Sequence, residues 1–345
     1  MVRGNTMSRS RTRRTFLTQA GGVAAGFLLP ITSDAAPVAT RATSRPLVSA
    51  RPKSRVVIAR DDQLTRGHLN QHRELLHKLI NAAMQRLTNA ADPVSAWRQL
   101  FHPTDRIGIK VNTLGLSTQP VVVDAIVAGL RQAGIPAENI LIWDRFDVEL
   151  SRAGFKLNKS RSGVQCRGTD AEHYGSGYTK RIESSGQIGS CFSQIVAKHV
   201  NVLISVPVLK DHNLAGVSLG MKNFYGAIHN PNKYHDNNCD PYIVDTVSHR
   251  YIGPKWKLTV CDATQAQHHA GPTRHPGFAW PFGGLILSRD FVAADAVATD
   301  LLETERKAQG LKSLEQERRP AKHILTAGAR QLGECDLSKI QRIEV

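Results

Sequence analysis

The residues with the most chemistry in them lie between 207 and 239: Lys210, Asp211, His212, Ser218, Lys222, Asn223, His229, Lys233, His235 and Cys239, interspersed with Gly216, Gly220 and Gly226. A neutral imidazole accepts a proton near pH 7 or ligates a metal. A lysine binds an anion as a point charge and gives up its proton cheaply when buried. Glycine lets backbone come close to a ligand. His212 and Lys222 bracket the run 215–220, and we take them as the candidate catalytic pair. His229 and His235 follow as candidate metal ligands; seven of the fourteen histidines fall between 212 and 275. Lys210 and Lys233 read as solvated charges. Gly216-Val217-Ser218-Leu219-Gly220 spells Gly-x-Ser-x-Gly, which serves a hydrolase only on a strand-to-helix turn, and the pattern places no such turn there. Gly220-Met221-Lys222 lacks the upstream glycine and the Lys-Ser/Thr ending of a P-loop.

These residues need a scaffold, and the hydrophobic pattern supplies one. Apolar, β-branched runs at 56–59, 106–112, 139–143, 202–206, 257–262, 284–288 and 340–345 read as strands. Helical spacing marks 69–90, with Leu75, Leu76, Leu79, Ile80, Ala83 and Leu87 on one face. Short helices are expected at 94–101 and 192–199. Pro120 opens a helix over 121–133 that ends at Gly134. Asp290 precedes a helix at 291–302 carrying Asp295 and Asp300, and 314–330 reads as a charged C-terminal helix. Residues 155–188 are polar and rich in Gly and Ser, an insertion or lid, and 263–282 reads as a loop. Strand, helix, strand over 106–143 is a βαβ unit, which predicts parallel pairing and a right-handed crossover. The expected fold is α/β, a mainly parallel sheet with helices on both faces in Rossmann-like layers. In such folds, residues just past a strand end face the ligand crevice. Lys110, Lys210 and Arg145 should therefore face the same side, with Asp262 and Asp295 orienting or coordinating from neighbouring elements.

The charge of +16 suggests nucleic acid until it is located. Residues 1–60 hold eleven Lys and Arg and one acid, Asp34, which accounts for +10. That distribution argues for a targeting segment and basic linker, not a nucleic-acid-binding face. Ser10-Arg11-Thr12-Arg13-Arg14-Thr15-Phe16-Leu17, a Gly/Ala-rich apolar run at 20–29 and small residues at 33–36 have the layout of an export signal. The apolar run is too short for a stable membrane span. Met7 serves as a start as well as Met1. The domain plan is a signal peptide over 1–36, a disordered basic linker over 37–55 and one α/β domain over 56–345, for which 41% hydrophobic residues supply a core. Five cysteines contain no C-x-x-C pair, which argues against an iron–sulfur cluster and leaves disulfide pairing open.

Three resemblances follow from these residues. Arg13-Arg14-x-Phe16-Leu17 resembles the twin-arginine signal, which implies export by the twin-arginine translocation machinery and a periplasmic location. Ile109-Lys110-Val111-Asn112, Val206 to His212 with Met221-Lys222-Asn223-Phe224-Tyr225-Gly226, and Val260-Cys261-Asp262-Ala263 through Gly271-Pro272 to Asp290 and Ala294-Asp295-Ala296 resemble the domain of unknown function 362 family over about 106–300. More distantly, His212 followed by Ala215-Gly216-x-Ser218-x-Gly220-x-Lys222 is similar to the nickel-pincer lactate racemase family. That similarity implies a cofactor held covalently by Lys222 and a metal-ligand histidine further on. Where those racemases carry a second acid/base histidine, this chain has Asp144-Arg145-Phe146.

The expected function is that of an exported enzyme, isomerase or oxidoreductase in type, acting on a small anionic substrate with a transition metal or nickel-pincer-like cofactor. His212 and Lys222 would be catalytic. Lys222, Gly216, Ser218, Gly220, Lys110 and Asn223 would hold the cofactor, and His212, His229, His235 and Asp262 the metal. The alternative is a non-catalytic periplasmic protein that captures a metal or ligand with the same residues.

Overall fold

A computed structural model describes residues 53–172 and 176–345. The twin-arginine leader, and the linker as far as residue 52, lie outside the described residues. The chain enters as β1 (Ser54–Arg60) and α1 (Arg73–Thr88), which Asn89 ends in the left-handed conformation. Asp92 caps α2 (Pro93–Arg98) by accepting from Ser95 N, with Pro93 in the first turn. The βαβ unit is β2 (Ile107–Val111), α3 (Pro120–Gln132) and β3 (Ile140–Asp144). It is followed by α4 (Asp147–Arg152), β4 (Gln165–Gly168) and a small hairpin, β5 (Glu183–Ser185) with β6 (Ile188–Ser190).

Next come β7 (Val202–Val206), β8 (Val208–His212), β9 (Gly216–Val217), α5 (Gly220–Asn223) and α6 (Tyr242–Ser248). The chain closes with β10 (Trp256–Gln267), β11 (Ala279–Trp280), β12 (Gly284–Ser288), α7 (Phe291–Ala308), α8 (Lys322–Ala329) and β13 (Ile340–Glu344). Asp290 caps α7 by accepting from Val292 N and Ala293 N.

Eleven strands join one mostly parallel sheet with the path β13-β1-β12-β10-β7-β2-β3-β4. The pairs β10–β7, β7–β2, β2–β3 and β3–β4 are parallel, while β12 runs antiparallel to both β10 and β1. Side chains alternate between two cores, as a strand's period of two requires. Val57 and Ala59 face the layer of α1, α2 and α3; Val56 and Ile58 face that of α6, α7 and α8. Helices thus cover both faces, which is why the central strands read as unbroken apolar runs.

The chain steps outward from β2 to β3 to β4, then returns to the other side of β2 as β7. Strand order reverses between β2 and β7. An open α/β sheet leaves a crevice at such a switch point, beyond the carboxyl ends of the strands.

Several boundaries differ from the sequence reading. Residues 155–188 contain β4, β5 and the start of β6; in β4 only Cys166 reaches the apolar core, so no hydrophobic run announces it. After Pro207 the chain continues as β8, a strand the sequence reading did not assign. Strand β10 extends to Gln267, because its second half pairs with β8 and β11. Residues 192–199 condense to one π-helical turn, Ile195–His199. The C-terminal helix is α8 alone, because Glu317 and Arg319 turn toward buried ion pairs.

Candidate functional site

At the switch point lies a cavity of about 280 Å³. Lys110 from β2, Asp144 and Arg145 from the end of β3, Lys210 and His212 from β8, Lys222 and Asn223 from α5, and Tyr225 and His235 beyond α5 all line it. Lys110, Lys210 and Arg145 do converge on one crevice.

On the wall formed by β2 and β3, the Lys110–Asp144 pair is saturated. Lys110 Nζ lies 2.6 Å from Asp144 Oδ1 and donates to Val111 O (2.6 Å) and Asn223 Oδ1 (3.1 Å). Burial lowers the Lys110 pKa, and Asp144 pulls it back. Asp144 also accepts from Thr113 N, Thr113 Oγ1 and Arg145 N. The Asn223 amide donates to Lys110 O and Ser205 Oγ. An ammonium has three donors, and all of those on Lys110 are used. Lys110 and Asn223, expected to bind a cofactor, line the cavity, and these bonds tie α5 to β2.

The opposite wall is different. Lys222 is 8% exposed, and no carboxylate pairs with it among the described residues. Its Nζ lies 3.2 Å from His235 Nε2 and 4.1 Å from the centroid of the Tyr225 ring. Burial lowers its pKa to about 8, against a raising pull from Cys239. His235 Nδ1 faces Pro231 O at 3.0 Å, which places the ring proton on Nδ1 and the lone pair on Nε2, toward the amine. Lys210, expected to be solvated, is 1% exposed. It donates to Leu114 O and Leu116 O, and burial lowers its pKa to about 7. Burial first, and then the Asp144 charge, raise the Glu149 pKa at the cavity edge.

His212 is oriented by backbone. Leu214 N and Ala215 N both approach its Nδ1, at 3.1 and 3.2 Å. The lone pair is therefore on Nδ1 and the ring proton on Nε2. Burial and the nearby Lys222 charge hold its pKa down to about 2, so the ring is neutral. It can donate one hydrogen bond; in this tautomer Nε2 has no lone pair for a metal or a proton. The expectation that His212 is a base or metal ligand is corrected accordingly.

The remaining metal candidates do not assemble. His229 is exposed and stacks edge-on against Tyr178 outside the cavity. Asp262 is buried away from the cavity, its carboxylate taken by Gln119 N, Thr264 N and Thr264 Oγ1, where it helps start α3. Among the described residues, no group of three or more His, Cys, Asp or Glu side chains is arranged to hold a metal. A nickel-pincer-like group would find its amine in Lys222 but only His235 as an imidazole lone pair beside it. That donor set does not fit such a group. All five cysteines are free thiols.

The glycines serve packing. A Cβ on Gly216 (φ +76°) would sit 2.5 Å from Arg319 O, so the residue lets β9 meet the 319–321 segment. A Cβ on Gly220 would sit 2.9 Å from Asp295 Oδ1. Asp295 reaches from α7 to accept from Gly220 N (2.8 Å) and Met221 N (2.9 Å), fixing the start of α5 and hence Lys222. Burial raises its pKa to about 7. Asp295→Asn presents an amide donor to one of two N–H donors; it is expected to lower unfolding free energy by about 1–3 kcal/mol in urea titration. A change indistinguishable from zero would show that the clamp does not hold α5.

Ser218 does lie between a strand and a helix, β9 and α5, contrary to the sequence reading. The positive φ is at Leu219 (26°), and Ser218 Oγ donates to Asp211 O at 3.3 Å. No histidine is hydrogen-bonded to it, so the hydroxyl lines the cavity without a base. Beyond the expected residues the structure adds Tyr225, visible in hindsight as the i+3 neighbour of Lys222, and His323. His323 is wholly buried, its pKa held down to about 3 by burial, and neither ring nitrogen has a partner. Lys222 perturbs it from over a hundred residues away, a distance no local pattern bridges.

An open α/β sheet covered on both faces, with a cationic crevice at its switch point, defines the class. Within it, residues 107–300 match the family described as Domain of unknown function (DUF362), and the chain belongs to that family. The match takes in β2 through most of α7; Arg306, Arg319 and His323 lie beyond it. Comparison with curated proteins finds no match.

Proposed function

We propose that the chain is an exported enzyme, of isomerase or oxidoreductase type, that acts on a small anionic substrate with Lys222 as its reactive amine. The observation that carries this is the state of Lys222: buried, lining a cavity, without a carboxylate partner, and with its pKa lowered to about 8. Near neutral pH such a lysine is available as a nucleophile in a way that a solvated one is not. His235 Nε2 is placed to accept the ammonium proton. The amine can then add to a carbonyl carbon of substrate or cofactor, lose water and leave an imine.

Lys210, Arg145 and the His212 Nε2–H supply donors for an anion. The twin-arginine motif at Arg13-Arg14 supports a periplasmic location. One feature favours a non-catalytic anion-binding protein instead: the cavity's central carboxylate, Asp144, is fully paired, so the lining is rich in donors.

The test is reductive trapping. Glyoxylate and borohydride at pH 8 should add one group per chain, mapped by peptide mass to Lys222, and Lys222→Ala should abolish it. Modification spread over surface lysines at equal rates would refute the reactive amine and leave the binding reading.

A further inference from the structure

A second cavity, of about 160 Å³, lies at the opposite end of the parallel strands from Lys222. Arg106 and Asn139, just before β2 and β3, line it with Gln165 and Arg167 of β4 and Val200 just before β7. We propose that this cavity binds a small oxyanion, of phosphate or carboxylate type, on the guanidinium of Arg167.

Arg167 is 2% exposed. Its Nη1 donates to Ser176 Oγ at 3.1 Å, and its Nε has no hydrogen-bond partner. No carboxylate forms an ion pair with it among the described residues. The acid whose charge acts on it, Asp147, is spent: Oδ2 lies 2.7 Å from Lys159 Nζ, and Oδ1 accepts from Gly168 N. A buried, unpaired guanidinium is costly. An oxyanion supplies the missing charge and acceptors, and two of its oxygens match the planar fork of an arginine.

The surroundings are also cationic. Arg106 is exposed at the rim and makes no ion pair among the described residues. It lies near enough to Lys255 to lower that residue's pKa, after burial, and Lys255 Nζ donates to Val200 O at 2.8 Å. Glu138, the acid in the lining, is exposed and pairs with neither arginine. A cavity of about 160 Å³ has room for an ion of phosphate size.

The full chain is titrated calorimetrically with inorganic phosphate, and in parallel with acetate, to tell the two oxyanion types apart. At least one should bind. Arg167→Gln should weaken that binding at least about 10-fold and Arg106→Gln about 3-fold, while Lys222→Met, in the other cavity, leaves it in place. If Arg167→Gln fails to fold, Arg106→Gln decides. Wild-type affinity in the arginine variants that fold, or binding lost in Lys222→Met alone, overturns the proposal.

Discussion

Asp211→Ala is expected to lower the unfolding free energy by about 3–5 kcal/mol, the range for removing one partner from a buried ion pair. Asp211 is 1% exposed, between the cavity-lining Lys210 and His212 in sequence but on the other face of β8. Its Oδ2 lies 2.6 Å from Arg319 Nη1 and 3.7 Å from Arg306 Nη1, and its Oδ1 accepts from Gly271 N. Truncation strands two guanidinium groups, one of them fully buried, with only Glu317 and Glu303 left to pair them. At about 2–4 °C per kcal/mol for a domain of this order of size, the melting temperature should fall by about 10 °C. Arg319 Nη1 also donates to His212 O at 3.2 Å, so the imidazole should lose its orientation as well. Replacing both partners, Asp211→Leu with Arg319→Met, should cost less than Asp211→Ala. Urea unfolding of the three proteins checks this; a loss under about 1 kcal/mol in the single variant would mean that water reaches the arginines.

Lys222→Met should do the reverse. The wild-type ammonium is buried with its pKa lowered from 10.5 to about 8, which costs about 3 kcal/mol at about 1.4 kcal/mol per pH unit. That cost is fully present below pH 8. Between pH 8 and 10.5 the unfolded chain holds more of this proton than the folded one, so wild-type stability rises with pH. Methionine fills similar volume without the charge, though it forfeits the contacts with His235 and Tyr225. The variant should therefore be more stable than wild type by about 1–3 kcal/mol at pH 7, with the gap closing toward pH 10.5, and it should fail to trap glyoxylate. Denaturation at pH 7 and pH 10 measures it. A variant less stable at both values would make Lys222 a satisfied structural residue, and the proposed amine chemistry would go with it.

How much of this was readable beforehand depended on the range of the interaction. β1, β2, β3, β7 and β12 are apolar and β-branched because both faces are buried, and that is written locally. β4 and β8 carry polar and charged residues; their pairing with β3 and β10 is what makes them strands, and no window of sequence contains both partners. The cavity's location followed from His212, Lys222 and the strand ends. The state of its groups did not. The His212 proton is set by the N–H groups of Leu214 and Ala215, which needs a turn geometry. The commitment of Asp262 to Gln119, and of Lys110 to Asp144 and Asn223, needs tertiary contacts. His229 looked equivalent to His235 in sequence, yet one faces solvent and the other Lys222.

Helix α7 holds both halves of the site. Asp295, near its start, grips the backbone that carries Lys222; Arg306, near its end, lies against Asp211, the neighbour of His212. Eleven residues at 1.5 Å each separate the two grips by about 16 Å, about three turns, so both act from nearly one side of the rod. The amine and the imidazole are thus registered against a common ruler on the far side of β8 from the ligand. Single substitutions on the outer face of α7 leave that ruler's length unchanged. One inserted residue swings the second grip by about 100°. A change in the length of a loop around the cavity leaves the spacing of these two grips intact, whereas a change in the span between Asp295 and Arg306 does not.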